Sequence, residues 1–141
     1  MDQAPEVVLV ETEEQRKREM EIRRIVFIEG QKVPAELEID HEEVSTHFVL
    51  KLGSEYVGTV RYRPYNETTV KLERLAILPE FRGRKLSILL VNRVLEDAKK
   101  NNKKVYLHAE VYVRDFYKKF GFKEFGEEFE EAGIQHIEME L

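Results

Sequence analysis

The chain has 141 residues, enough for one domain with one core over 1–141, and 42% of them are hydrophobic. A formal net charge of −5 excludes nucleic acid as the main partner, because neutralising phosphate takes a net basic face. No cysteine is present, which excludes disulfides, thiolate metal sites and cysteine nucleophiles. No apolar run is long enough to span a membrane, and MDQAPEVVLVE is not a signal-peptide pattern, so the expectation is a cytoplasmic protein with no membrane partner.

In chain order, Met1–Pro5 reads as frayed and Glu6–Val10 as a short strand. Thr12-Glu13-Glu14-Gln15 is a capping box that opens a helix to about Ile28, with Met20, Ile25, Phe27 and Ile28 among its buried candidates and Gly30 as its stop. Gln31–Val44 carries Pro34 and then a run of carboxylates, and it reads as a loop with one helical turn. Two roles stay open for it. It is an acidic solvated connection, or a substrate-facing wall on which Glu36, Glu38 and Asp40 attract a cationic amine.

Thr46–Leu52 reads as a strand and Tyr56–Arg63 as its hairpin partner around the Gly53-Ser54 turn. Pro64–Thr68 turns the chain into a third strand, Val70–Ile77, which Pro79 ends because proline has no N–H to give. Within it Glu73 falls on the face opposite Leu72 and Arg74. Next comes Phe81-Arg82-Gly83-Arg84-Lys85-Leu86-Ser87, where Ser87 is a candidate cap for the helix that follows. Ile88, Leu89, Val91, Leu95 and Ala98 give that helix an apolar stripe. A helix N-terminus at a strand end, ringed by Arg82, Arg84 and Lys85, favours an anion such as phosphate. Lys104–Ala109 reads as a strand, Val113–Phe120 as a short helix closed by Gly121, and Phe122–Phe129 and Ile134–Leu141 as the closing strands. The order is β-α-βββ-α-β-α-ββ, an α/β class with a mixed sheet and helices on both faces. An exposed edge at the last strands would permit a homodimer.

The strand, basic loop and helix of Val70–Lys100 resemble the acetyl-CoA site of the GNAT-type N-acetyltransferases, whose loop reads Arg/Gln-x-x-Gly-x-Gly/Ala. Arg82 fits the first position, Lys85 stands at the usual Gly, and Ser87 at the usual Gly or Ala. The segments IRRIVFIEGQKVPAELEID, LER, FYKKFGF and EAGIQHIEM are similar to those of the ElaA-like subfamily.

That resemblance implies a GNAT-like fold and transfer of an acetyl group from acetyl-CoA to a primary amine, by direct attack in a ternary complex. It implies that Leu75, Ala76 and Ile77 hold the cofactor through main-chain groups, with Arg82, Gly83, Arg84, Lys85, Leu86 and Ser87 at its pyrophosphate. It implies Glu73 as the proton acceptor and Tyr117 as the donor to the departing thiolate; a phenol suits that task because it stays protonated at neutral pH. The alternative for Glu73 is ion pairing with Arg61 or Arg63, and for Tyr117 a place in the core. The alternative for the chain is a non-catalytic or weakly CoA-binding module, because Lys85 and Ser87 replace small residues. His47, His108 and His136 lack metal-ligand spacing, so no metal is expected; of the three, His108 is the one placed to approach the site.

Overall fold

The computed structural model describes Ala4–Leu141. The frayed segment expected at Met1–Pro5 lies mostly outside the described residues, and Pro5 itself already opens the first strand. Seven strands form one sheet: β1 (Pro5–Leu9), β2 (Thr46–Leu52), β3 (Glu55–Asn66), β4 (Thr69–Ile77), β5 (Lys104–Glu110), β6 (Lys123–Glu131) and β7 (Ile134–Glu140). Their spatial order is β1-β2-β3-β4-β5-β7-β6, and this mixed sheet with helices on both faces is the fold expected from the sequence.

The helices are α1 (Glu13–Arg23), α2 (Ala35–Glu38), α3 (Leu86–Lys100) and α4 (Arg114–Lys118). The capping box forms, with Thr12 Oγ1 accepting from the Gln15 amide and Gln15 Oε1 accepting from the Thr12 amide. Beyond Arg23 the helix widens into π turns over Arg24–Gly30. The buried stripe is Glu19, Ile22, Arg23 and Val26, at ordinary helical spacing, and Met20, Ile25, Phe27 and Ile28 flank it only half-buried.

One face of the sheet packs on α3, where Leu90, Val91 and Val94 meet Phe48, Leu72, Leu107 and Met139 in the main core. On the other face α1 lies over β2, β3 and β4, and Ile22 and Val26 pack on Ala76.

Two irregularities set the geometry of the centre. The first is a bulge: Thr59 pairs with Ala76 and Arg61 with Glu73, so β4 carries one extra residue there. Arg74 takes a left-handed φ of 56° at that point. Strict alternation is thereby broken. Arg74 turns to the same side as Glu73 and donates to the main-chain oxygens of Glu38 (3.0 Å) and Leu37 (2.8 Å). The second is the one parallel pairing among the described residues, β4 with β5, which joins just Thr69–Lys71 to Lys104–Tyr106. From Leu72 and Leu107 onward the two strands run unpaired and apart. Gly58 on β3 faces the far end of β4, where a Cβ would come within 2.7 Å of Ile77 Cδ1 and 3.1 Å of the Ala76 oxygen.

Candidate active site

A cavity of about 760 Å³ opens where β4 and β5 separate. Its walls come from the α1–α2 connection (Val26, Gln31, Val33), from Lys71–Ile77 of β4, from β5 and the turn after it (His108, Glu110, Tyr112), from α4 (Phe116, Tyr117), and from the β6–β7 hairpin (Glu131, His136). Arg82 and Ser87 reach it from the basic loop.

The structure thus brings Glu73, Leu75, Ala76, Ile77, Arg82, Ser87 and Tyr117 to one cleft. Gly83, Arg84, Lys85 and Leu86 do not line it. Leu86 is a buried core residue, and the Arg84 guanidinium lies 5.3 Å from the Phe81 ring centre. Arg82 Nε donates to the Ile77 oxygen at 2.9 Å, which ties the loop to the free end of β4.

Ser87 is not the helix cap. The N-cap is Lys85, in the left-handed conformation at φ 60°, and no side chain bonds the first amides of α3. Ser87 falls one residue inside the helix because Leu86 is already helical. Among the described residues no side chain caps the amides at this helix start.

Glu73 is clasped by three cations. Arg61 Nη2 donates to its Oε1 at 3.1 Å, Arg63 Nε donates to Oε1 at 2.9 Å, and Lys71 Nζ stands 3.3 Å from Oε2. Burial works to raise its pKa; the charges of Arg61, Lys71 and Arg63 outweigh burial and pull it to about 2. The ion-pairing alternative is therefore the geometry observed.

The acidic segment turns largely inward: of the three carboxylates named for an amine-facing wall, Asp40 lines the cleft, and it is paired with Arg61. Arg23, fully buried on α1, donates from Nε to Glu38 (2.7 Å), from Nη1 to Glu19 (3.2 Å) and from Nη2 to Glu42 (2.5 Å). Arg61 Nη1 donates to Glu42 at 2.7 Å, and its Nη2 to Asp40 at 3.2 Å. Only Glu36, of the three carboxylates expected to attract a cation, stays exposed and unpaired. The reason is the buried arginines, which a surface-like helix pattern conceals.

Tyr117 is buried at the cleft wall, and burial, with the charge of Glu110 adding to it, pushes its phenol well above the ordinary range. The phenol keeps its proton and can only donate to an anion formed beside it. His47 is remote from the cleft, its Nδ1 2.5 Å from Glu19 Oε2. His108 lines the cleft, as its place on the diverging strand suggested, and so does His136. Sequence reasoning did not put Lys71, Glu110, Glu131 or His136 here. The β5-β7-β6 register that gathers Glu110, Glu131 and His136 on one face is the signal that was missing, whereas Lys71 shares the face of Glu73 by simple strand alternation.

The fold thus sets a cleft between two parting strands beside a helix start with no side-chain cap. Residues 12–141 match the family described as "Acetyltransferase (GNAT) domain", and the chain belongs to that family. It is 35% identical over 135 residues to the uncharacterized N-acetyltransferase YjcF of Bacillus subtilis (strain 168), covering 94% of this chain and 96% of that one. The crystal structure of Escherichia coli ElaA superposes with a TM-score of 0.85 at 26% identity, over 97% of this chain and 98% of that one, in line with the ElaA-like resemblance. A GNAT family acetyltransferase from Elizabethkingia anophelis, with acetyl-CoA bound, shares the fold at a TM-score of 0.71 and 15% identity, over 96% of this chain and 94% of that one.

Proposed function

We propose that this protein transfers the acetyl group of acetyl-CoA to a primary amine by direct attack in a ternary complex. The observation that carries this is the parting of β4 and β5 beside an α3 start with no side-chain cap. The β5-facing edge of β4 along Leu75–Ile77 lies beyond the β4–β5 pairing, and its main-chain groups suit a pantetheine amide. The amides of Arg84–Ser87 and the charges of Arg82, Arg84 and Lys85 suit a pyrophosphate. Gly83, at φ 81° with open space around its Cα, lets the loop turn there. Bound there, acetyl-CoA supplies a thioester carbonyl as the acceptor of the amine's electron pair.

The residues of this chain do the rest. Tyr117, held protonated, donates a hydrogen bond where thiolate charge develops. Glu73 holds its charge near neutral pH and arrays Arg63 and Lys71 along the cleft, with Arg61 buried behind them; at about 2 it is a weak acceptor for an ammonium proton. Direct attack fits a chain with no cysteine to carry an acyl group. Lys85 already takes the left-handed conformation that glycine would supply, which favours a working loop over the non-catalytic alternative.

Thiol release from acetyl-CoA in the presence of a panel of primary amines tests the proposal. Amine-dependent release with a matching acetylated product is expected. Saturable acetyl-CoA binding with no release for any amine would point to the non-catalytic module.

A further inference from the structure

Beyond β5 the sheet presents a second set of titratable groups to the cleft. β7 sets His136 opposite Glu110 and Glu138 opposite His108, and β6 sets Phe129 opposite His136. Opposed side chains share a face, so His108, Glu131 and His136 gather together, and all three line the cavity.

The two histidines differ in what their nitrogens do. His108 Nδ1 is 3.1 Å from Glu131 Oε2, and its Nε2 is 2.7 Å from the Tyr106 hydroxyl, so both nitrogens are engaged. His136 Nδ1 stands 2.7 Å from the Ile134 carbonyl oxygen. A carbonyl only accepts, so Nδ1 carries the hydrogen and the neutral ring keeps its lone pair on Nε2. That Nε2 makes no hydrogen bond among the described residues, and it stands 3.7 Å from Glu131 Oε1. The ring is stacked on Phe129, with centroids 5.9 Å apart, which fixes its direction.

We propose that His136 is the proton acceptor of the transfer reaction, with Glu131 as the countercharge of the imidazolium that results; this rests on the acetyltransferase reading above. The ammonium proton of the acceptor passes to Nε2. The freed nitrogen pair forms the new C–N bond, the C–S bond breaks with its pair leaving on sulfur beside the Tyr117 hydroxyl, and the second N–H proton of the adduct passes to that sulfur, which gives a neutral amide and a free thiol. His108 is a positioning residue that fastens Glu131. The hydrogen bond from His108 holds the Glu131 carboxyl below the ordinary carboxylate range against the effect of burial, so it is charged when needed.

The charged and titratable groups facing His136 are Glu131 on β6, His108 and Glu110 on β5, Glu138 on β7 and, from β4, Lys71, whose charge reaches Glu131. Glu110 is itself held by Gln31 Nε2 at 2.8 Å.

Two amines separate proton acceptance from mere structure. Benzylamine reaches the site as an ammonium ion at neutral pH; hydroxylamine arrives neutral. For His136→Gln the expected result is a roughly hundredfold loss of benzylamine-dependent thiol release, little change with hydroxylamine, and unchanged acetyl-CoA binding by calorimetry. Equal losses with both amines, or no loss with benzylamine, would overturn the assignment. Wild-type protein that fails to bind acetyl-CoA would instead overturn the acetyltransferase reading. Nitrogen-15 NMR of histidine-labelled wild-type protein decides without turnover. A neutral His136 ring protonated at Nδ1 and bare at Nε2 supports the role, and the opposite tautomer contradicts it.

Discussion

Arg61 and Glu73 face each other across β3 and β4, and Arg61 Nη2 donates to Glu73 Oε1 at 3.1 Å with the arginine side chain wholly buried. Through Asp40 and Glu42 the same guanidinium reaches the α2 segment, and through Glu42 it reaches Arg23 on α1. One pair therefore ties the bulged strand of the cleft to the helices above it. Replacing Glu73 with Gln leaves Arg61, Arg63 and Lys71 without their shared anion. The expected outcome is a loss of roughly 3 kcal/mol in denaturant unfolding, since breaking a buried pair strands the charge that remains.

Acid sensitivity follows from the same carboxylate. A folded pKa of about 2, below the unfolded value near 4.5, gives stability present above about 4.5 and lost as pH falls toward 2. At about 1.4 kcal/mol per unit, the full depression is worth roughly 3 kcal/mol. Denaturant titrations across that window should fall more steeply for wild-type protein than for Glu73→Gln.

His47 acts with the opposite sign. Burial would lower its pKa, but the hydrogen bond and charge of Glu19, with help from Glu42, raise it above the ordinary imidazole value. Its contribution to stability is complete below the unfolded value of about 6.5 and is lost as pH rises through the higher folded value. His47→Gln should flatten the fall in unfolding free energy above about 6.5; a wild-type profile that is already level there would contradict the assignment.

Lys85 and Gly83 give a local test of the loop. Both have positive φ, at 60° and 81°. A residue with a Cβ costs about 1 kcal/mol in that conformation. Lys85→Gly should raise the stability by about 1 kcal/mol, and Gly83→Ala should lower it by a similar amount, both read from thermal unfolding.

Tyr117→Phe keeps the buried ring and removes the hydroxyl. The Phe116 and Phe122 contacts that pack the ring remain, at centroid distances of 5.1 and 5.8 Å. Acetyl-CoA binding should be retained while turnover drops about a hundredfold, the usual size for loss of one donor to a developing anion. Equal turnover of the two proteins would remove Tyr117 from the chemistry.

Most of the element order was legible because hydrophobic period and turn chemistry agree along the chain. Thr46–Leu52 is a short apolar run between Ser45 and Gly53, and β2 has those bounds. The exceptions have physical causes. The bulge at Arg74 is a tertiary feature, set by the α2 carbonyls its guanidinium reaches, and strand period cannot foresee it. The buried pairing of Arg23 with Glu38 was not legible, because burial of an ion pair depends on partners far apart in the chain. Arg61 and Arg63 were open to an ion-pairing reading with Glu73 because neighbouring strands in a hairpin make that contact local. His136 escaped notice because its freedom at Nε2 depends on a carbonyl bond two residues away and on strand order.

Calorimetric titration of the purified protein with acetyl-CoA tests the central claim most directly. The expected result is saturable binding that weakens about tenfold or more in Arg82→Ala combined with Arg84→Ala, the loss anticipated for removing charge-assisted contacts. No heat of binding at millimolar acetyl-CoA would contradict the assignment of the β4–β5 cleft and the α3 start as the cofactor site.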